Sequence, residues 1–188
     1  MMIGLTRERL LNEAGILMRS HGYSAFSYAD LSRSIGITKA SIHHHFPTKD
    51  ILGEQVVLEA INNTTMLFDE IETQHQHIFD RLAAYMKIFS DGYRASSLPL
   101  CCALSADMAN LPENVRLQAT KYFELQINWL TTILSRGIEA GEIRPGISAK
   151  KTALLIMNIC EGASVVARAI NDPDIFDNSI EQIITILS

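Results

Sequence analysis

Apolar residues recur at helical spacing along the whole chain, and no segment sustains the strict apolar–polar alternation of a half-buried strand. This periodicity constrains the fold before anything else does. Stripes of this kind are buried helix against helix. The pattern predicts helices over about 6–21, 28–34, from a Thr38 cap to about 45, and then over 51–72, 77–95, 99–110, 112–140, 148–171 and 174–187. The expected fold is therefore all-α, with about nine helices. Local chemistry marks the ends. Thr6, Ser27, Thr38 and Thr48 are expected N-caps. Gly22 suits a helix C-terminus, Pro47 cannot continue a helix, and Pro112 suits a first turn.

Composition narrows the class. A chain of 188 residues can bury its own core, and 47% hydrophobic with 20% charged residues excludes wholesale disorder. Three cysteines, Cys101, Cys102 and Cys160, are an odd number without metal-ligand spacing. They predict neither a disulfide framework nor a zinc site, and they fit a reducing cytoplasm. The first residues turn charged at once, so no signal peptide is expected. No uninterrupted apolar run approaches the roughly 18 residues of a membrane span, so no membrane partner is expected.

Charge is unevenly shared. The chain carries −5, yet residues 1–50 hold six Lys/Arg against four acids and four of the six histidines. Residues 51–188 hold ten basic against seventeen acidic side chains. The expected organisation is a polyanion-facing head, 1–50, on an acidic body, 51–188.

Within the head, two short helical patterns flank Ile35-Gly36-Ile37, the layout of a helix-turn-helix. Gly36 allows the sharp reversal. Leu31, Ile35 and Ile37 brace the second helix, and Ile42 and Phe46 point inward as anchors. Thr38, Lys39, Ala40, Ser41, His43 and His44 then face outward, small or hydrogen-bonding as a major groove requires. Lys49 adds charge at the start of the next helix, where backbone N–H groups also suit a phosphate. The triplet His43-His44-His45 is no metal site, because consecutive helical residues splay about 100° apart. A helical hairpin inside a larger bundle is the competing reading of the same residues.

These residues carry a resemblance. Thr6-Arg7-Glu8, His21-Gly22-Tyr23, Phe26-Ser27-Tyr28-Ala29-Asp30-Leu31, the run Ile35 to Phe46, and Thr48-Lys49-Asp50-Ile51-Leu52 stand in the order and spacing of a known DNA-binding head. The segment 6–58 resembles that of the TetR (tetracycline-repressor-like) transcriptional regulators. The resemblance implies phosphate contacts from Ser27, Tyr28, His44 and Lys49, and groove contacts from Thr38, Lys39, Ala40, Ser41 and His43. It implies a homodimeric repressor on a palindromic double-stranded DNA operator, released by a small-molecule or electrophile signal. His43 and His44 stand where the family often has two aromatics. Their protonation would make binding pH-dependent.

In the body, the resemblance implies effector binding and dimerisation through the last two helices. Ile156, Ile159, Cys160, Ala163 and Val166 form one stripe, and Ile180, Ile183, Ile184 and Leu187 another. Intramolecular core is the competing reading of both. Cys101 and Cys102 resemble the thiols of a branch in which a cysteine before a mid-body helix senses electrophiles; small buried hydrophobes are the alternative. Met108, Tyr122, Phe123, Trp129 and Met157 are candidates to line an effector pocket, against ordinary core packing. No G-x-S-x-G, P-loop, H-E-x-x-H or dinucleotide turn is present, so no enzyme, cofactor or metal is expected. The rival to a regulator is a helical adaptor without DNA binding. Steep weakening by salt separates the two.

Overall fold

The computed structural model describes residues 2–188, and their side chains from Thr6 onward. Among the described residues there are nine α-helices, one 3-10 turn and no strand. The helices are α1 (Met2–His21), α2 (Tyr28–Ile35), α3 (Lys39–His45), α4 (Lys49–Gln74), α5 (Ile78–Arg94), α6 (Leu100–Ala106), α7 (Glu113–Glu139), α8 (Ala149–Ile170) and α9 (Asp174–Leu187). The all-α expectation holds, and most boundaries fall within two residues of the sequence reading.

Two boundaries differ. α1 starts at Met2, so Thr6 lies inside the helix and is not its cap. The helix expected over 99–110 breaks after Ala106 and resumes as the 3-10 turn Met108–Asn110. Asp107 explains the break: its carboxylate accepts the Ser24 N–H at 2.9 Å, and its carbonyl accepts the Asn110 N–H at 2.8 Å.

The chain forms two compact units. The first holds Met1–Asn62 and Leu100–Tyr122, the second Asn63–Pro99 and Phe123–Ser188. Compactness thus divides the chain within α4 and α7, elsewhere than at residue 50. The reason lies in the first core. Leu10, Ala14 and Met18 of α1 pack with Leu31, Ile42, Phe46, Leu52 and Val57, and Leu100, Leu104, Leu111 and Val115 join them from further along the chain. Each of the Leu, Ile, Val, Met and Phe side chains among them contributes about 1.5–3 kcal/mol when fully buried.

Gly53 shows how tightly this unit is packed. A Cβ there would lie 2.7 Å from Tyr23 Cε2 and 3.3 Å from Val115 Cγ2. Tyr23 is buried, and its hydroxyl donates to Asp50 at 3.2 Å, so the ring has little room to yield. Overpacking costs about 1–3 kcal/mol, whereas alanine gains up to about 1 kcal/mol over glycine inside a helix. Gly53→Ala is expected to destabilise by about 1 kcal/mol net. Denaturant unfolding measures it, and a variant as stable as the parent would contradict the packing argument.

The second core gathers Leu82, Tyr85 and Phe89 of α5, Leu130, Ile133 and Leu134 of α7, Ile156, Met157 and Cys160 of α8, and Ile183 and Leu187 of α9. The α8 stripe named from the sequence is therefore mostly core. Ile156, Cys160 and Ala163 are buried, and Val166 is 48% exposed. The exposed apolar residues of α8 are Leu154, Leu155, Val165, Val166 and Ile170, of which Val166 alone belongs to that stripe. α8 is also long and apolar enough, by length and composition alone, to cross a membrane, which a search for unbroken apolar runs misses. One of its faces is committed to the second core, as in the core helix of a globular unit.

Candidate nucleic-acid interface

Local chemistry builds the helix-turn-helix. Ser27 sits before α2 with extended backbone, and the Asp30 carboxylate reaches back to accept its N–H at 2.8 Å and its hydroxyl at 2.7 Å. These bonds from Ser27 hold the Asp30 carboxyl below its usual range, and Arg33 adds an ion pair. At the other end Gly36 takes a left-handed conformation, φ 71°, and donates its N–H to the Ser32 carbonyl. The Ser32 hydroxyl donates across the turn to the Ile37 carbonyl at 2.6 Å, and Arg9 donates to the Ile35 carbonyl at 3.1 Å. The turn is closed from both sides.

α3 then starts where Thr38 caps it, accepting the Ser41 N–H at 3.2 Å. Ile42 and Phe46 are buried, as expected of anchors. With these two facing the core, the helix turns Lys39, Ala40, His43 and His44 to solvent, with exposed Thr38 at its start and Ser41 half-buried beside them. Because the Thr38 oxygen accepts from Ser41, its hydroxyl proton remains available to an outside acceptor. His43 Nδ1 donates to the Pro47 carbonyl at 3.0 Å, which leaves Nε2 as the outward atom. A neutral His43 therefore presents an acceptor and a protonated one a donor. The ring also stands 4.8 Å from the Tyr28 ring, edge-on.

Three expected phosphate ligands make contacts within the protein. Tyr28 is buried, and its hydroxyl donates to the Phe46 carbonyl at 2.8 Å, so it braces α3 instead of facing outward. Burial and the nearby Asp50 charge push its pKa up to about 12. The Ser27 hydroxyl is exposed, but its proton is directed at Asp30. Lys49 is half-buried, its ammonium 4.5 Å from the centres of both the Tyr23 and Phe26 rings. Desolvation lowers the Lys49 pKa, opposed by Asp107, Asp50 and Asp30. Its charge remains at the first residue of α4. The sequence reading missed Arg7, which lies over the Phe46 ring and donates to Gln55 at 3.0 Å. Nothing in local periodicity marks that contact, which joins residues 48 apart.

The Tyr28 brace is testable. Tyr28→Phe keeps the ring and removes the bond to Phe46. A stability loss of about 0.5–1.5 kcal/mol is expected, the net worth of one such hydrogen bond. An unchanged melting curve would sink this assignment.

The effector candidates are dispersed. Cys101 is buried and Cys102 half-buried, both in α6. Met108 and Tyr122 pack against the first core, whereas Phe123 and Trp129 pack against the second and Met157 lies within it. Trp129 stacks on Phe68 at 4.1 Å and donates its indole N–H to Glu72 at 2.9 Å, a packing role. Two cavities of the second unit are lined by none of these residues. Burial drives the thiol pKa of Cys160 upward, so the thiolate is disfavoured there. Among the described residues no cluster of His, Cys, Asp and Glu could hold a metal ion.

Comparison with known proteins agrees with this geometry. Residues 10–56 match the family described as "Bacterial regulatory proteins, tetR family", and residues 79–183 match "Tetracyclin repressor-like, C-terminal domain". The chain is similar to the HTH-type transcriptional regulator CymR of Pseudomonas putida, with 26% identity over 85% of this chain and 78% of that one. It is also similar to the nucleoid occlusion factor SlmA of Marinobacter nauticus, with 25% identity over 78% of this chain and 73% of that one. Among solved structures, a TetR-family transcriptional regulator from Agrobacterium tumefaciens superposes with a TM-score of 0.94, 29% identity and 99% coverage of both chains.

Proposed function

This chain belongs to the tetR family of bacterial regulatory proteins and is a DNA-binding transcriptional regulator; from that premise we propose that it is a cytoplasmic, homodimeric repressor of a palindromic operator. Residues 1–50 read the DNA, and residues 51–188 bind an effector and dimerise. The observation that carries this reading is the solvent-facing set Thr38, Lys39, Ala40, His43 and His44 on a helix anchored by buried Ile42 and Phe46. Lys39 and the Thr38 hydroxyl contact base edges or phosphates, with His43 and His44 beside them. A small molecule releases the operator by binding the two states of the dimer unequally. The family is one of regulators, and the chain performs no catalysis in this reading.

Selection of bound duplexes from a randomised pool tests it. A recovered palindrome with half-sites about one helical turn apart, and affinity that falls steeply with salt, supports the paired heads. Folded protein that enriches no sequence at any salt concentration would favour the helical adaptor instead.

A further inference from the structure

A cavity of about 340 Å³ opens in the second unit between the ends of α5 and α8. Its volume is at the lower end for small-molecule sites. What sets it apart is its lining. Arg94 and Arg168 both contribute, together with three serines and Asn171, and there is no carboxylate among the lining residues. Arg168 makes no ion pair or hydrogen bond among the described residues. Arg94 shares Asp91 with Lys87, at 3.2 Å from the nearer oxygen, so that carboxylate serves two cations.

The orientation of the neutral groups points the same way. The Tyr93 hydroxyl donates to Asn171 Oδ1 at 3.3 Å. This bond sets the amide oxygen toward Tyr93, and Nδ2 is left as a double donor. The Ser164 hydroxyl is tied to the Cys160 carbonyl at 2.8 Å and closes the floor. The Ser97 hydroxyl is likewise taken, by the Leu98 carbonyl at 3.4 Å, while other main-chain carbonyls at the two helix ends are engaged within the turns. The Asp91, Gly92 and Tyr93 carbonyls take the N–H groups of Ala95, Ser97 and Ser96, and the Ala167 carbonyl takes those of Asn171 and Asp172. Cations in the last turn of a helix offset its dipole, which accounts for one arginine per helix end. It does not account for their convergence on a donor-rich cavity. Backbone conformation marks the same place. Among the described residues, the two non-glycine positions with positive φ are Ser96 and Asn171, both at 55°, and both line this cavity.

We infer that this cavity is a binding site for a compact organic oxyanion, a carboxylate or a phosphate monoester, held by Arg168 and Arg94 with Asn171 Nδ2 as a neutral donor. Guanidinium groups recognise such oxyanions through paired N–H bonds. The binding stands on the cavity alone; its use as the effector signal rests on the regulator reading above.

Titration calorimetry on the full chain at constant ionic strength tests the site, with benzoate, succinate and inorganic phosphate as probes. Saturable binding of at least one probe is expected, and the probe that binds separates carboxylate from phosphate. Arg168→Gln is expected to weaken it about tenfold or more. Asn171→Gly keeps the left-handed backbone and is expected to weaken it several-fold. Lys150→Gln, at an exposed lysine outside the cavity, is expected to leave it unchanged. Absence of saturable heat from all three probes, or an Arg168→Gln protein that is folded and binds like the parent, overturns the site. The effector role is read separately, on operator already shown to bind without probe. Release by the bound probe supports that role, and probe binding without release overturns it while the site stands.

Discussion

Lys39→Ala is expected to weaken operator binding by at least about 30-fold at fixed salt. Lys39 is the first residue of α3, is exposed, and makes no hydrogen bond or ion pair among the described residues, so its donors are uncommitted. A good side-chain contact to a base edge is worth about 1–3 kcal/mol, and a symmetric dimer makes it twice. Two losses of about 1 kcal/mol already give the 30-fold figure. The pattern of loss also assigns the contact. A base contact relaxes sequence preference at one position of each half-site. A phosphate contact weakens all sequences alike and lowers the salt dependence by about one unit per lysine. Stability serves as the control, because truncating an exposed side chain usually changes it by less than about 0.5 kcal/mol. Unchanged affinity with an unchanged selected palindrome would falsify the placement of α3 in the groove.

The head was legible from the sequence where chemistry is local. Gly36 between two isoleucines, Thr38 and Thr48 three residues before the N–H groups they cap, and Ile42 with Phe46 on one face all follow from spacing within a few residues. What depends on distant partners was not legible. The Tyr28 phenol points inward because the Phe46 carbonyl, eighteen residues on, lies within its reach. Lys49 folds over two rings that precede it by more than twenty residues. α6 ends early because Asp107 meets Ser24, 83 residues away. The body shows a second kind of limit. Periodicity finds an apolar stripe on α8, but that helix is apolar on two faces. Which face meets the core is decided by α5, α7 and α9, whose side chains fill one side of it. The cavity between Arg94 and Arg168 joins residues from two helix ends far apart in the chain, and no motif announces it.

The second apolar face of α8 carries the remaining prediction. Leu154, Leu155, Val165, Val166 and Ile170 are each between 40% and 63% exposed in the protomer. Around the helix Leu154, Leu155, Val165 and Val166 face away from the residues sunk in the core, with Ile170 at the edge of that face, and Gly162 lies among them with nothing within 4 Å of where its Cβ would be. Five large aliphatic side chains on one helix face are costly to leave in water. A bare glycine amid them lets a neighbouring helix approach closely. A two-fold symmetric partner uses the same patch on both sides, so one substitution acts twice. Val165→Asp is therefore expected to raise the dimer dissociation constant by at least about 100-fold, since a buried unpaired carboxylate costs several kcal/mol and each protomer brings one. The protomer itself should tolerate the change, because Val165 is half exposed there. Sedimentation and circular dichroism together read the result: a helical, folded monomer at concentrations where the proposed dimer of the parent forms. Operator affinity should fall with it, because a monomer engages one half-site where the dimer engages two, and the gain from linking two binding modules is lost. Val165→Asp protein that sediments as a dimer would place the interface elsewhere and leave this apolar face without a partner.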